Sequence, residues 1–124
     1  MTYPVYLIAS SGLPRDHHAI FVETSTDGSG HIFQVTGNIQ NGMSFEEKDA
    51  EKPGNGADFV SRTRIGSVAA ASFDRIRGIC EGVDVPKKQF EGPRRLYPNK
   101  PLRRCQEWTA EAITALVRKG VLEE

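Results

Sequence analysis

Five short segments of strand-type sequence occupy the first half of the chain, before any segment with clear helical spacing. They cover residues 3–9, 17–23, 31–36, 43–47 and 59–68. Each is rich in β-branched and aromatic residues or alternates between apolar and polar ones, and both patterns favour strands. The turn-forming pairs Asp27-Gly28 and Asn41-Gly42 fall between consecutive segments. Strands joined by short turns pair antiparallel, so this order predicts an antiparallel sheet.

Two helical segments follow the strands. Residues 69–81 and 105–119 both place apolar side chains three or four positions apart, and Gly120 is a favourable helix stop. Between them, residues 83–102 contain four prolines, which exclude a regular helix. Strands followed by helices are typical of the α+β class. We therefore expect a single α+β domain that spans residues 1–124.

Charge and cysteine usage narrow the class of protein. The 124 residues carry 16 basic and 16 acidic side chains, so net charge gives no general attraction to nucleic acid. No apolar run approaches the roughly 20 residues of a membrane helix. Cys80 and Cys105 show no zinc-binding spacing, and free thiols are usual in the cytoplasm. We expect a cytoplasmic protein without a metal, cofactor, nucleic-acid partner or membrane span; the oligomeric state stays open.

Cys105 is the first candidate for chemistry, because it stands where the second helix should begin. Helix N-termini carry partial positive charge and free N–H groups, and Arg103 and Arg104 add two positive charges directly before it. Positive surroundings favour the thiolate, which is the nucleophilic form of cysteine. The alternative interpretation is a buried structural cysteine, since free cysteines are among the most buried residues.

Histidines on the neighbouring strands supply candidates for an acid–base partner. His17 and His18 begin the second strand, where alternation sends their side chains to opposite faces. His31 and Gln34 lie on the third strand, and either could orient an imidazole by hydrogen bonding to its far nitrogen. They are three positions apart, so only one of them can face the same histidine. A cysteine, a histidine and a polar third residue together suggest a thiol hydrolase.

Two motifs resemble those of the lecithin:retinol acyltransferase-like proteins, which are permuted relatives of NlpC-type peptidases in the papain-like superfamily. Residues 17–22, His-His-Ala-Ile-Phe-Val, are similar to the family's His-Trp-Ala-Ile-Tyr-Val strand. Residues 104–108, Arg-Cys-Gln-Glu-Trp, stand where the family has Asn-Cys-Glu-His-Phe. The order and rough spacing of histidine and cysteine agree over residues 3–119. Residues 105–108, Cys-Gln-Glu-Trp, also resemble a Cys-Gln-x-Trp motif of uncharacterised fungal proteins.

The resemblance implies a permuted papain-like fold, an antiparallel sheet with the cysteine-bearing helix packed against it. It implies a cysteine-dependent hydrolase or acyltransferase that acts on an ester, thioester or amide. Cys105 would be the nucleophile and His17 the general base. The third residue falls on Gln34 by the apolar pattern of the strand, or on His31 by residue type. Backbone N–H groups at the helix start would stabilise the oxyanion.

The same resemblance suggests which residues contact a small-molecule or acyl substrate. These are His18, Arg104, Gln106 and Trp108, although a tryptophan in the position of Trp108 is more often a core residue. His18 replaces the family's tryptophan, and Arg104 replaces its asparagine. Those departures favour one alternative, an inactive binding domain of the same fold. A second alternative, suggested by the small size of the domain, is a biosynthetic isomerase or cyclase that uses the same site with His17 as acid and base.

Residues 85–104 form a strongly basic segment in this neutral protein. The segment contains seven lysines and arginines and one acidic residue, Glu91, so its net charge is +6. Such a segment could bind an anionic molecule. The alternative is a solvated loop whose charges pair with the acidic stretch at residues 46–58.

Overall fold

The computed structural model describes residues 1–12, 15–54, 56 and 58–124, which contain eight strands and two α-helices. The elements are β1 (Thr2–Ser10), β2 (His17–Glu23), β3 (Gly30–Asn38), β4 (Gly42–Ala50), β5 (Phe59–Ala69), α1 (Arg75–Glu81), β6 (Phe90–Glu91), β7 (Arg94–Arg95), α2 (Cys105–Arg118) and β8 (Leu122–Glu123). Six strands form one sheet in the order β4-β3-β2-β1-β5-β8, with every neighbouring pair antiparallel. Strands β6 and β7 form a separate small hairpin.

Short turns explain why β1 to β4 follow one another across the sheet. Gly42 lies opposite Asn38 at the β3–β4 turn with φ +92°, a conformation that glycine adopts without a steric penalty. Strand β5 then returns to the free edge of β1, where a register shift between Val5 and Tyr6 accommodates one extra residue beside Gly66. Such bulges bend a strand and increase its twist.

Trp108 and the other buried side chains of α2 join the strands in one hydrophobic core. Trp108 is 0% exposed, and its ring lies 5.8 Å from that of Phe45. Its indole Nε1–H donates to the carbonyl of Val83, so the polar atom of this buried ring has a partner. Beyond Gly120, the last strand pairs with β5 at the edge of the sheet. The helix that carries Cys105 is therefore held at both ends.

The expected α+β, permuted papain-like fold is wrong. Strands account for 42% and helices for 20% of the structure, and the main sheet is a half-barrel of antiparallel strands. The expected and observed folds differ because of two strand pairings that no short turn in the sequence predicts. These are the pairings of β1 with β5 and of β5 with β8. These pairings extend the sheet at the end away from β4, so the sheet dominates the architecture.

The individual elements correspond well to the sequence pattern. All five predicted strands are present; β1, β2 and β5 have close to their predicted lengths, whereas β3 and β4 are three and four residues longer than predicted. The helix expected over residues 69–81 is shorter, because β5 continues to Ala69 and a 3₁₀ turn, Ala70–Ser72, comes before α1. Neither α-helix of the described residues combines the length and apolar character that crossing a bilayer requires.

Candidate active site

Cys105 is the first residue of α2 and lines a small cleft. Arg104 has extended backbone angles (φ −123°, ψ −170°), which end the preceding loop. Its N–H donates to the Glu107 carboxylate at 2.7 Å, as in a capping box. This contact fixes the first turn of the helix and therefore the position of the thiol. Cys105 is only 9% exposed.

His17, the first residue of β2, lines the same cleft as Cys105 and interacts with its thiol. Its Nε2 is 2.8 Å from Oε1 of Gln34 on β3. Because Nε2 is engaged by Gln34, Nδ1 is the nitrogen left for the thiol. The structure thus brings together three of the residues singled out in the sequence: Cys105, His17 and Gln34.

Glu46 extends this set and sets the orientation of the Gln34 amide. The Gln34 Nε2 donates to Glu46 Oε1 at 2.7 Å, so the amide oxygen is the atom that faces His17. An oxygen there accepts the Nε2–H of the imidazole and leaves Nδ1 able to take a proton. Lys48 Nζ lies 3.6 Å from the same Glu46 oxygen and partly balances its charge.

Sequence reasoning missed Glu46, although the β3–β4 register contains the signal. Asn38 pairs with Gly42 at the turn, and four residues away from the turn on each strand Gln34 lies opposite Glu46. Directly opposite residues share a face of the sheet. Arg15 was also missed, and no sequence pattern points to it. Its Nη2 is 2.7 Å from Oε1 of Glu107 at the start of α2.

The surroundings shift the ionisation of both Cys105 and His17 toward their charged forms. Burial by itself would raise the pKa of the Cys105 thiol. Hydrogen bonds from His17 and from the His18 backbone N–H, with the charges of His17 and Arg15, outweigh burial and lower that pKa below its ordinary value. The hydrogen bond to Cys105 raises the pKa of His17, and Gln34 adds to this effect against burial and the charge of Lys48. The geometry thus favours a thiolate–imidazolium pair.

Cys80 provides an internal contrast within the same chain. It is fully buried in α1, and burial raises the pKa of its thiol to about 12, with Glu47 and Glu81 acting in the same direction. A thiol in that environment stays protonated at neutral pH and reacts poorly. The two cysteines therefore differ in the property that decides nucleophilicity.

The cleft beside Cys105 has a volume of about 190 Å³. Its walls include Arg15, Arg104 and Gln106 together with the β3–β4 turn. The Gln106 side chain donates to the Asp16 carbonyl at 3.0 Å, which ties α2 to the segment before β2. A cavity of this size holds a short acyl group or a few solvent molecules beside the thiol.

The other predicted site residues lie elsewhere or act through their backbone. The ring of His31 is 5.2 Å from that of Phe73, and its Nδ1 faces Glu47 and Asp49, away from His17. The His18 backbone N–H helps to lower the pKa of the Cys105 thiol, and its carbonyl accepts from the Thr109 hydroxyl at 3.4 Å. Trp108 belongs to the core and does not line the cleft.

Comparison with known proteins gives one family. No curated protein and no solved structure matches the chain. A family model described as a family of unknown function, DUF6540, matches residues 5–123. That match covers nearly the whole sequence and includes every residue of the cleft, so the chain belongs to the DUF6540 family.

Proposed function

We propose that the chain is a cysteine-dependent hydrolase or acyltransferase that acts on a small ester, thioester or amide. The observation that carries this proposal is the placement of the Cys105 thiol against His17, whose far nitrogen is held by Gln34. A nucleophile, a base and a group that orients the base are the parts that acyl transfer through a thiol requires. The likeness of residues 17–22 and 104–108 to acyltransferase-like motifs supports the same chemistry.

The reaction follows from these positions. The Cys105 sulfur attacks the acyl carbon, a C–S bond forms, and the carbonyl electrons move to oxygen. The N–H groups of the first turn of α2 would stabilise that oxyanion. When the oxyanion collapses, the bond to the leaving group breaks and the His17 imidazolium gives the leaving group its proton. Water or another acceptor, deprotonated by His17, then attacks the acyl-enzyme and releases the thiol.

The cleft and the thiol chemistry also suggest where and on what the protein acts. A volume of about 190 Å³ suits a short acyl group. Arg104 at the cleft favours a substrate with a negative charge near the reacting carbonyl, whereas Arg15 is already paired with Glu107. Both cysteines are free thiols, as expected in the reducing cytoplasm, and we place the protein there as part of the proposal.

Alkylation of the two cysteines tests the proposal directly. Iodoacetamide rates at Cys105 and Cys80 would be measured by mass spectrometry from pH 5 to 9. We expect Cys105 to react quickly near pH 6 and Cys80 slowly throughout. His17→Ala should slow Cys105 at pH 6, whereas the matched control His31→Ala should leave it unchanged. Equal rates at the two cysteines of the folded wild-type protein would refute a catalytic thiol.

A second measurement asks for the covalent intermediate itself. Incubation with p-nitrophenyl acetate should add one acetyl group at Cys105, detected by intact mass and peptide mapping. His17→Ala should lower the rate of acetylation. Rapid alkylation without acetylation by any of a panel of activated esters and thioesters would favour the inactive binding domain over the enzyme.

A further inference from the structure

A second and larger cleft lies on the outward side of α2. It has a volume of about 1050 Å³ and runs between the segment of residues 82–103 and the exposed face of the helix around Thr114. It shares no lining residue with the cleft at Cys105. Thr114 lies on the opposite side of the helix axis from Cys105, so α2 separates the two clefts. The proposed acyl chemistry makes no use of this larger cleft.

Positive charge dominates the walls of this cleft. Five basic side chains face two acidic ones, Asp84 and Glu111, in a protein whose net charge is zero. Arg103 is already paired with Glu111 through two contacts of 2.9 and 3.0 Å. Within the described part of the chain, the other four have no carboxylate within 4.0 Å. They are Lys87, Lys100, Arg118 and Lys119.

The acidic stretch at residues 46–58 does not neutralise the basic segment. Its ion pairs among the described residues go to His31, Lys48 and Arg77. The basic segment instead makes one internal pair, Lys88 with Glu91, and one pair to α2. The positive charge at the larger cleft is therefore left for a molecule from solution.

Apolar and aromatic groups occupy the surface between these charges. Val85, Leu102 and Ala115 line the cleft, and Tyr97 stands at its wall with 40% of its surface exposed. The Lys87 Nζ lies 4.1 Å from the centre of the Tyr97 ring, a cation–π contact that places charge and ring side by side. A ligand with an apolar body and an anionic group would contact both kinds of surface.

Hydrogen bonds hold the outer wall in place before any ligand binds. The buried Gln89 side chain donates to the carbonyls of Lys87 and Arg103 and accepts from the Arg103 N–H, at 2.8–3.1 Å. Arg95 donates to the Lys100 carbonyl at 2.6 Å. Contacts of this kind keep a loop of irregular structure in one conformation, and a preformed wall lowers the entropic cost of binding.

We propose that this larger cleft binds a small organic anion, a phosphate or carboxylate on an aromatic or other apolar frame. Its volume lies at the upper end of the range for small-molecule sites and greatly exceeds what an inorganic phosphate fills. The four cations at its walls would contact the anionic group. The ring of Tyr97 and the neighbouring apolar side chains would contact the frame.

Titration with 2-naphthyl phosphate, followed by backbone amide NMR shifts, tests this proposal. We expect saturable shifts at residues 83–85, 97–103 and 110–118, and weaker binding as salt is added. Lys87→Gln/Lys100→Gln should weaken binding about five- to thirty-fold, because two exposed charge contacts are lost. Lys88→Gln/Arg94→Gln removes the same charge from the same segment outside the cleft and should leave binding unchanged.

Three results would overturn the proposal. Uncharged 2-naphthol binding as tightly as 2-naphthyl phosphate would show that the cations play no part. An equal loss of affinity in the control double variant would show that the net charge of the segment, and not contact with the cleft lysines, determines binding. Shifts confined to the cleft beside Cys105 would assign the ligand to the proposed active site. None of these depends on whether Cys105 catalyses acyl transfer, so the two proposals fail separately.

Discussion

Gln34→Leu is the substitution that most sharply tests how the site works. The Gln34 side chain is nearly buried and joins Glu46 at 2.7 Å to His17 at 2.8 Å. Leucine has a similar volume but no polar atom, so His17 Nε2–H would lose its acceptor. The thiol would keep its own contact with the imidazole.

The size of the effect follows from the hydrogen bond that is lost. A hydrogen bond to a charged group contributes about 1.5–3 kcal/mol, and His17 carries charge only when it stabilises the Cys105 thiolate. The imidazole is partly open to solvent, so we take the lower end, about 1.5 kcal/mol. That free energy corresponds to roughly a tenfold lower population of the thiolate–imidazolium pair. We expect the alkylation rate of Cys105 at pH 6 to fall by the same factor.

The assay compares Cys105 with Cys80 in each variant across pH 5 to 9. The difference between wild type and Gln34→Leu should shrink toward pH 9, where the thiol ionises without help from the imidazole. Gln40→Leu is the matched control, because Gln40 lines the cleft without a hydrogen bond to His17. A Gln34→Leu rate within twofold of wild type at pH 6, in a protein that folds normally, would refute a positioning role for Gln34.

Three further predictions concern the framework that holds the site. Trp108→Ala should lower the free energy of unfolding by about 3–5 kcal/mol and Tm by roughly 10–20 °C, because it empties a fully buried site; calorimetry measures both, and a change under 1 kcal/mol would contradict the core assignment. Burial would raise the pKa of Glu107, but the hydrogen bonds from Arg15 and the Arg104 N–H lower that pKa overall. The ionised Glu107 therefore stabilises the fold above the ordinary glutamate pKa of about 4.3. This stabilisation is lost as pH falls through the lowered pKa. Glu107→Gln should therefore destabilise by about 0.5–1 kcal/mol at pH 7 and by nothing measurable well below pH 4, in urea titrations at both pH values. Gly66→Ala should destabilise by about 1–3 kcal/mol, because Gly66 has φ +154° and an added Cβ would meet the Glu123 carbonyl, whereas the control Gly78→Ala, with open space in α1, should stabilise by about 0.5–1 kcal/mol in the same titration.

Local pattern was enough to predict the individual elements but not their arrangement. The strands β1 to β4 follow each other through short turns, so neighbours in sequence are neighbours in the sheet. The pairing of β5 with β1 brings together strands about 60 positions apart, and nothing in either segment specifies that partner. The two-residue strand β8 is too short to carry a periodic signal. These non-local pairings produce the half-barrel and explain why the expected fold class was wrong.

The candidate site, like the fold, could be predicted from the sequence only in part. Helix-start position and the resemblance pointed to Cys105 and His17, and the structure places them together. Alternation showed that only one of Gln34 and His31 could face His17, but the residue pattern alone did not decide between them. That choice depends on which face of β3 meets the β2 start, a property of the assembled sheet. The β3–β4 register alone could have revealed Glu46.

The attachment of β8 to the edge of β5 has a consequence for how the protein is made. The first five strands carry His17, Gln34 and Glu46 and can pair once residue 69 has emerged from the ribosome. Cys105 follows His17 by 88 positions, and its helix is fixed at the far end only when Leu122 and Glu123 join the sheet. Contacts that close such long loops form late and slowly. We therefore expect the nucleophile to be the last of these groups to reach the site, and a nascent chain interrupted before α2 carries the histidine without the thiol that it would activate.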